Sequence, residues 1–127
     1  MGETEDLILG IYRAYRRQDL DEVIAGMHPD AAFKPVPSAQ TYRGRDEIRR
    51  FFEQDIHSLA EFDFRLITLQ EAGPVALLHG KNRIREAGEM RDAPIYWYAE
   101  VRDGLLHTFR PYSEISEATA AFEAGQA

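Results

Sequence analysis

The 127-residue sequence predicts an α+β fold, a cone-shaped barrel in which N-terminal helices pack on a curved, mostly antiparallel sheet. Three observations predict it. Apolar residues in the first half recur at helical spacing, whereas from Phe62 they alternate every second residue. An Asp-Gly pair at 103–104 sits between two alternating runs, a strong signal for a two-residue hairpin. Three helices, then antiparallel strands, then a short final helix place the helices over one sheet face.

Each element has its own justification. Thr4, followed by Glu5 and Asp6, starts a first helix whose apolar side carries Leu7, Ile8, Ile11 and Tyr15. Arg13, Arg16 and Arg17 form its solvated side. Asp19 with Glu22 three residues on resembles a capping box for a second helix that buries Val23, Ile24 and Met27. His28-Pro29-Asp30 is expected to end that helix, and AAFKPV to form a short strand that Pro35 and Pro37 confine to an edge or bulge. Gly44, Asp46 and Glu47 open a third helix with Ile48, Phe51, Phe52 and Ile56 on one side. FDFRLITLQE, VALLHGKNRIRE, APIYWYAEV and LLHTFRPY follow as strands, and the tail from Ser113 is helical, with Ile115, Ala118 and Phe122 on its apolar side.

With 44% hydrophobic residues, residues 1–127 suffice for a single domain with its own core. A net charge of −7 argues against nucleic-acid and anionic-membrane partners. The absence of cysteine excludes disulfides, thiolate nucleophiles and Cys-based metal sites. The acidic N-terminus does not resemble a signal peptide, and no stretch is long enough to span a bilayer, so a cytoplasmic location is expected.

Arg110 poses the sharpest question, because it lies in an otherwise apolar strand. An ungapped pairing outward from Asp103-Gly104 sets Val101 against Leu106, Tyr98 against Phe109 and Trp97 against Arg110. Ile95, Trp97, Ala99, Leu106, Thr108, Arg110 and Tyr112 then share the face beneath the helices. A charge there needs a partner or a cavity, and Gly80 and Ala99 on the same face leave room for one.

The DLDEVIAGMHPDAAF, YRGRDEIRRFF and VRDG…RPYSE segments together resemble the SnoaL-like and ketosteroid-isomerase-like families of the nuclear transport factor 2-like superfamily. The resemblance implies a cone with a ligand site at its mouth and, commonly, dimerisation through the outer sheet face. It aligns the steroid isomerases' tyrosine, base aspartate and protonated aspartate with Ile11, Pro35 and Trp97, so that activity is discounted. The epoxide hydrolases' Arg-Asp-Asp set has no counterpart here. What does match is a SnoaL-like arginine, tyrosine and acid at alternate positions: Arg110, Tyr112 and Glu114.

The predicted ligand-binding residues are therefore Trp97, Arg110, Tyr112, Asn82 and Tyr15, with Tyr42, Phe33 and Phe64 framing them. Arg110 would pair with a carboxylate or enolate oxygen while Trp97 stacks on an apolar part of the ligand. His79 and His107 fall on the outer face, and His28 and His57 near helix ends, so no metal site and no cofactor are expected. Two functional readings stand. One is a cofactor-independent isomerase, cyclase or hydratase acting on a carbonyl- or carboxylate-bearing molecule. The other is a non-catalytic binding or interaction domain, favoured by the lack of an internal base; Glu114 is the nearest acid and reads more simply as an ion-pair partner of Arg110 at the sheet's rim or as a helix-start residue. Tyr96, Tyr98, Leu105, Phe109 and Leu77 sort to the outer face, where they predict a homodimer interface, the final helix being too short to cover them.

Overall fold

The computed structural model describes residues 2–34, 41–57, 62–86 and 88–126. Their order is α1 (Glu3–Arg16), α2 (Leu20–Ala25), β1 (Met27–Phe33), β2 (Tyr42–Arg43), α3 (Gly44–His57), β3 (Phe62–Ala72), β4 (Val75–Glu86), β5 (Glu89–Arg102), β6 (Leu105–Tyr112) and α4 (Ile115–Gly125). The strands form one six-stranded sheet in the order β2-β1-β6-β5-β4-β3. All neighbours are antiparallel except β1 and β6, which run parallel. This is the mixed α+β cone that the sequence predicts.

Local chemistry sets the element ends. Asp19 caps α2 by accepting a hydrogen bond from the Glu22 amide at 3.2 Å. Only half of a capping box forms, because the Glu22 carboxylate turns to Arg17 instead. Thr4 lies inside α1 rather than at its start, and its hydroxyl donates to the Gly73 carbonyl at 2.7 Å. The cap comes from across the fold: Glu71 accepts from the Glu5 amide at 2.8 Å, placing a negative charge at the helix N-terminus. Residue 2 is glycine where a Cβ would overlap that same carboxylate.

His28-Pro29-Asp30 does not simply end α2. The strand begins at Met27, and the tripeptide forms an irregular stretch of β1. Met27 pairs with Leu106 and Ala32 with Thr108, so four residues of β1 oppose a single residue of β6. Pro29 cannot donate to a ladder, which accounts for the break at this point. Pro35 and Pro37 lie outside the described residues, as do the side chains of Ile56 and His57.

The β5–β6 hairpin turns at Asp103-Gly104 with φ of 54° and 75°, the double positive φ of a type I′ turn. Val101 pairs with Leu106 as predicted. Beyond that point the register slips: Glu100 faces Thr108, Ala99 faces Phe109, Tyr98 faces Arg110 and Trp97 faces Pro111. His107 is the extra residue of a β-bulge, and every side chain after it exchanges faces. The predicted pairing of Trp97 with Arg110 is therefore corrected.

The outer face is also more occupied than the sequence predicts. The eleven-residue α4 crosses it, and Ala118 and Phe122 pack on Val75, Leu77 and Tyr98. Two of the five residues assigned to a homodimer interface, Leu77 and Tyr98, are buried there, and Phe109 faces the interior. The apolar area from which that interface was inferred is thus largely consumed within the chain.

Tyr98, 3% exposed, donates its hydroxyl to Glu100 at 2.9 Å. Burial and the Glu100 carboxylate push its pKa up to about 12. Burial also pushes the Glu100 carboxyl up, but hydrogen bonds from Tyr98 and Arg102 outweigh it and leave the group below its ordinary range. An unfolded tyrosine loses its proton near pH 10, while folded Tyr98 keeps it. Its contribution is whole below pH 10 and declines as pH rises to about 12, by on the order of 2 kcal/mol. Urea titrations at pH 9 to 12 should show this decline in the native chain and a shallower one in Tyr98→Phe.

Candidate functional site

Beneath α1, α2 and α3 the concave face of the sheet encloses a cavity of about 90 Å³. Its wall is built mainly from aromatic and aliphatic side chains at positions the periodicities select. Ile8, Ile11, Tyr12 and Tyr15 come from one side of α1, Phe51 and Phe52 from α3, and Leu78, Trp97 and Phe109 from the sheet. Phe33 stacks on Trp97, Phe109 and Phe52 with interplanar angles of 17°, 25° and 13°. Trp97 and Phe109 lie nearly parallel at 4.2 Å between centroids.

The space above Gly80 is not left open for a ligand. The Phe64 ring and the Arg65 carbonyl occupy it so closely that a Cβ on residue 80 would lie 2.6 Å and 2.4 Å from them. Here β3 carries its own register shift, between Leu66 and Thr68, and Ile67 is left 49% exposed. Tyr12 pins this turn of the strand. Its hydroxyl donates to the Phe64 carbonyl at 3.4 Å and accepts from the Leu66 amide at 3.1 Å.

Of the five predicted ligand-binding residues, the structure brings Tyr15, Asn82 and Trp97 together on the cavity wall. Arg110 and Tyr112 are on the opposite face, a correction that follows directly from the bulge at His107. The exposed Arg110 guanidinium sits 5.5 Å from the centroid of the Tyr98 ring, a cation–π contact outside the cone. Tyr112 packs against the cluster under α4. Glu114 is the N-cap residue of α4. Phe109, assigned to the outer face by strict alternation, is a wall residue. Leu106 and Phe109 are three apart, and that odd spacing was the available sign of a bulge.

Two polar atoms distinguish this wall. Trp97 is 4% exposed and Asn82 2%, and the indole Nε1 and the amide Oδ1 are both buried without a hydrogen-bond partner. Buried polar groups are nearly always paired, because leaving one unpaired costs roughly 1–3 kcal/mol. Both atoms belong to wall residues but lie beneath the cavity surface, which is almost wholly apolar. Among the described wall residues, the titratable side chains are Tyr12 and Tyr15.

The histidines lie elsewhere. His28 accepts from the Asp30 amide through Nδ1 at 3.0 Å, and its Nε2 is 3.1 Å from Asp103. Its ring meets His107 edge-on at 5.3 Å, where the bulge and the irregular part of β1 adjoin. Burial, then the charges of Arg102 and His28, hold His107 below the ordinary histidine range. No group of three or more metal-ligating side chains occurs among the described residues.

A family model for the SnoaL-like domain matches residues 8–108. The chain belongs to this SnoaL-like family. That stretch runs from within α1 to the bulge in β6 and takes in the described wall residues except Phe109. No curated protein matches the sequence. Among solved structures, the SnoaL-like chain resembles an NTF2-like protein of unknown function from Burkholderia pseudomallei, with a TM-score of 0.77 at 21% identity over 96% of this chain and 98% of that one. TerC, co-crystallised with polyporic acid, gives 0.75 at 19% identity, covering 96% and 99%. An LEH-like epoxide hydrolase of M. tuberculosis gives 0.70 at 16%, covering 97% and 91%. These likenesses show the shared fold. The alignment that sets Ile11 and Trp97 at steroid-isomerase catalytic positions puts both on the wall, while Pro35 lies outside the described residues.

If Asn82 carries an unmet acceptor, an apolar side chain of similar length should suit the folded state better. Asn82→Leu is expected to raise the thermal midpoint by a few degrees, for a gain of about 1 kcal/mol. Circular-dichroism melts check this; a loss of more than about 1 kcal/mol would show that Asn82 supports the fold. Arg110→Leu should change stability by no more than about 1 kcal/mol and leave near-ultraviolet dichroism from Trp97 unaltered.

Proposed function

We propose that this SnoaL-like domain binds a small, partly apolar, carbonyl-bearing molecule inside the cone, between the α1 and α3 aromatics and the sheet. The observation that carries the reading is the cavity itself, an apolar space walled by aromatic rings from α1, α3 and the sheet. A ligand that fills the cavity removes its own apolar surface from water and gains the contacts that an empty void lacks. The co-crystallisation of TerC with polyporic acid supports the use of this fold for holding an organic molecule. Binding is favoured over proton-transfer catalysis because the described wall offers tyrosines, and the Tyr12 hydroxyl is already committed to Phe64 and Leu66.

The chain has one tryptophan, so its emission reports on the cavity alone. Titration with ethylbenzene and with acetophenone is expected to change the Trp97 emission saturably and to raise the thermal midpoint, acetophenone more than ethylbenzene. Arg110→Leu should respond as the native chain does. Failure of both compounds to alter emission or melting at millimolar concentration would refute an internal ligand site.

A further inference from the structure

We propose that the part of the outer sheet face left uncovered by α4 docks an extended acidic peptide of a partner protein. Two of its carboxylates meet Arg110 and Lys81, and a ring between them lies over Tyr96 and His79. Alternation builds this surface. His79 and Lys81 on β4 share the outer side with Leu77, and Pro94 and Tyr96 on β5 share it with Tyr98. Arg110 and Tyr112 on β6 come onto it beyond the bulge. Leu77 and Tyr98 are buried under α4, whereas Lys81, Pro94 and Arg110 are exposed and His79, Tyr96 and Tyr112 half-buried. Lys34, also exposed, donates its amide to the Phe109 carbonyl at 3.3 Å, which sets it level with Arg110 on the neighbouring strand.

Charge complementarity names the occupant. On a chain of net charge −7, this strip gathers Lys34, Lys81 and Arg110, and among the described residues no carboxylate lies within ion-pair distance of any of them. The acids nearby on the same face are taken: Asp92 pairs with Arg83 at 3.4 Å and Glu100 with Arg102 at 3.0 Å. Between the cations, His79 and Tyr96 stack at 4.9 Å with an interplanar angle of 18°, a flat platform for a ring. Arg110 is opposite Tyr98 and Lys81 opposite Pro94, on the two sides of β5, so Tyr96 is midway between them. Four residues along the strand and two strands across put their backbones roughly 16 Å apart. An extended peptide aims positions i, i+2 and i+4 to one side over roughly 13 Å, and long arginine and lysine side chains span the rest. The fitting pattern is therefore acid-x-aromatic-x-acid. A second copy fits poorly, because a two-fold contact about Tyr96 sets these cations against one another. A nucleic acid would carry a charge at every phosphate past the exposed Glu114, two residues beyond Tyr112.

Isothermal calorimetry with end-capped pentapeptides tests the proposal. ESFSE is expected to bind saturably, and QSFSQ about tenfold more weakly for the loss of two exposed ion pairs. Raising sodium chloride from about 50 to about 500 mM should weaken ESFSE and leave QSFSQ nearly unchanged. The double variant Lys81→Glu, Arg110→Glu should lose ESFSE and gain the reversed peptide KSFSK, which the native chain does not bind. Its melting curve should stay close to that of the native chain, since both side chains are exposed. Failure of ESFSE to bind, equal affinity for ESFSE and QSFSQ, or retention of ESFSE by the double variant overturns the proposal. So does a single-stranded dodecathymidylate that binds the native chain while ESFSE cannot displace it, which would make the strip a nucleic-acid surface. A native dimer in sedimentation that ESFSE does not dissociate and the double variant does not form would assign the strip to a second copy and overturn it equally.

Discussion

The register of β6 slips by one residue at His107, and that slip determines what each face of the sheet contains. A strand has a side-chain period of two, so a single inserted residue exchanges the faces of everything beyond it. Without it, Thr108, Arg110 and Tyr112 would point beneath the helices, and a guanidinium would enter the core. With it, Phe109 completes the stack on Trp97 and Phe33, and Arg110 reaches water over Tyr98. The bulge lies beside the irregular His28-Pro29-Asp30 stretch of β1, so both strands lose regular pairing at the same level of the sheet. Such breaks sharpen the local twist of a sheet, which is what closing it into a cone requires.

Helices, strands and the Asp103-Gly104 turn were legible because each depends on local chemistry: periodicity, a cap, a pair of residues tolerant of positive φ. The inward direction of Trp97, Asn82 and Tyr15 was legible for the same reason, since each lies in an element whose period runs unbroken. Arg110 and Tyr112 lay beyond a break. Their faces depended on a ladder irregularity beside β1, a strand distant in sequence, and an ungapped register could not include it. The desolvation cost of Arg110 pointed the right way, since a charge on the inner face was itself a reason to look for a slip. Coverage of the outer face by α4 was missed on length, yet eleven residues of helix extend roughly 16 Å, enough to cross three strands.

The cavity combines tight and loose features that oppose each other energetically. Its walls are close-packed to the point that Gly80 and Gly26 have no space for a methyl group against Phe64 and Ile11. Yet within this packing two polar atoms remain unmet, and an apolar core of the same volume would be more stable. On the opposite face, hydrogen bonds link Tyr98, Glu100 and Arg102 in sequence.

The placement of α4 carries a consequence for how the molecule fails. Its hold on the sheet centres on Ala118 and Phe122 against Val75, Leu77 and Tyr98, with Ala72, Tyr96, Tyr112 and Ala121 packed around them and Gly125 pressed close enough to the Tyr98 hydroxyl to exclude a side chain. A helix held by side-chain packing can open locally at a lower free energy than a laddered sheet. In the opened form the sheet remains intact while a contiguous adhesive strip of Val75, Leu77 and Tyr98 faces solvent, poised for self-association. Proteolytic clipping within α4 would make that form permanent. The helix therefore shields an apolar strip that the sheet alone would present to solvent.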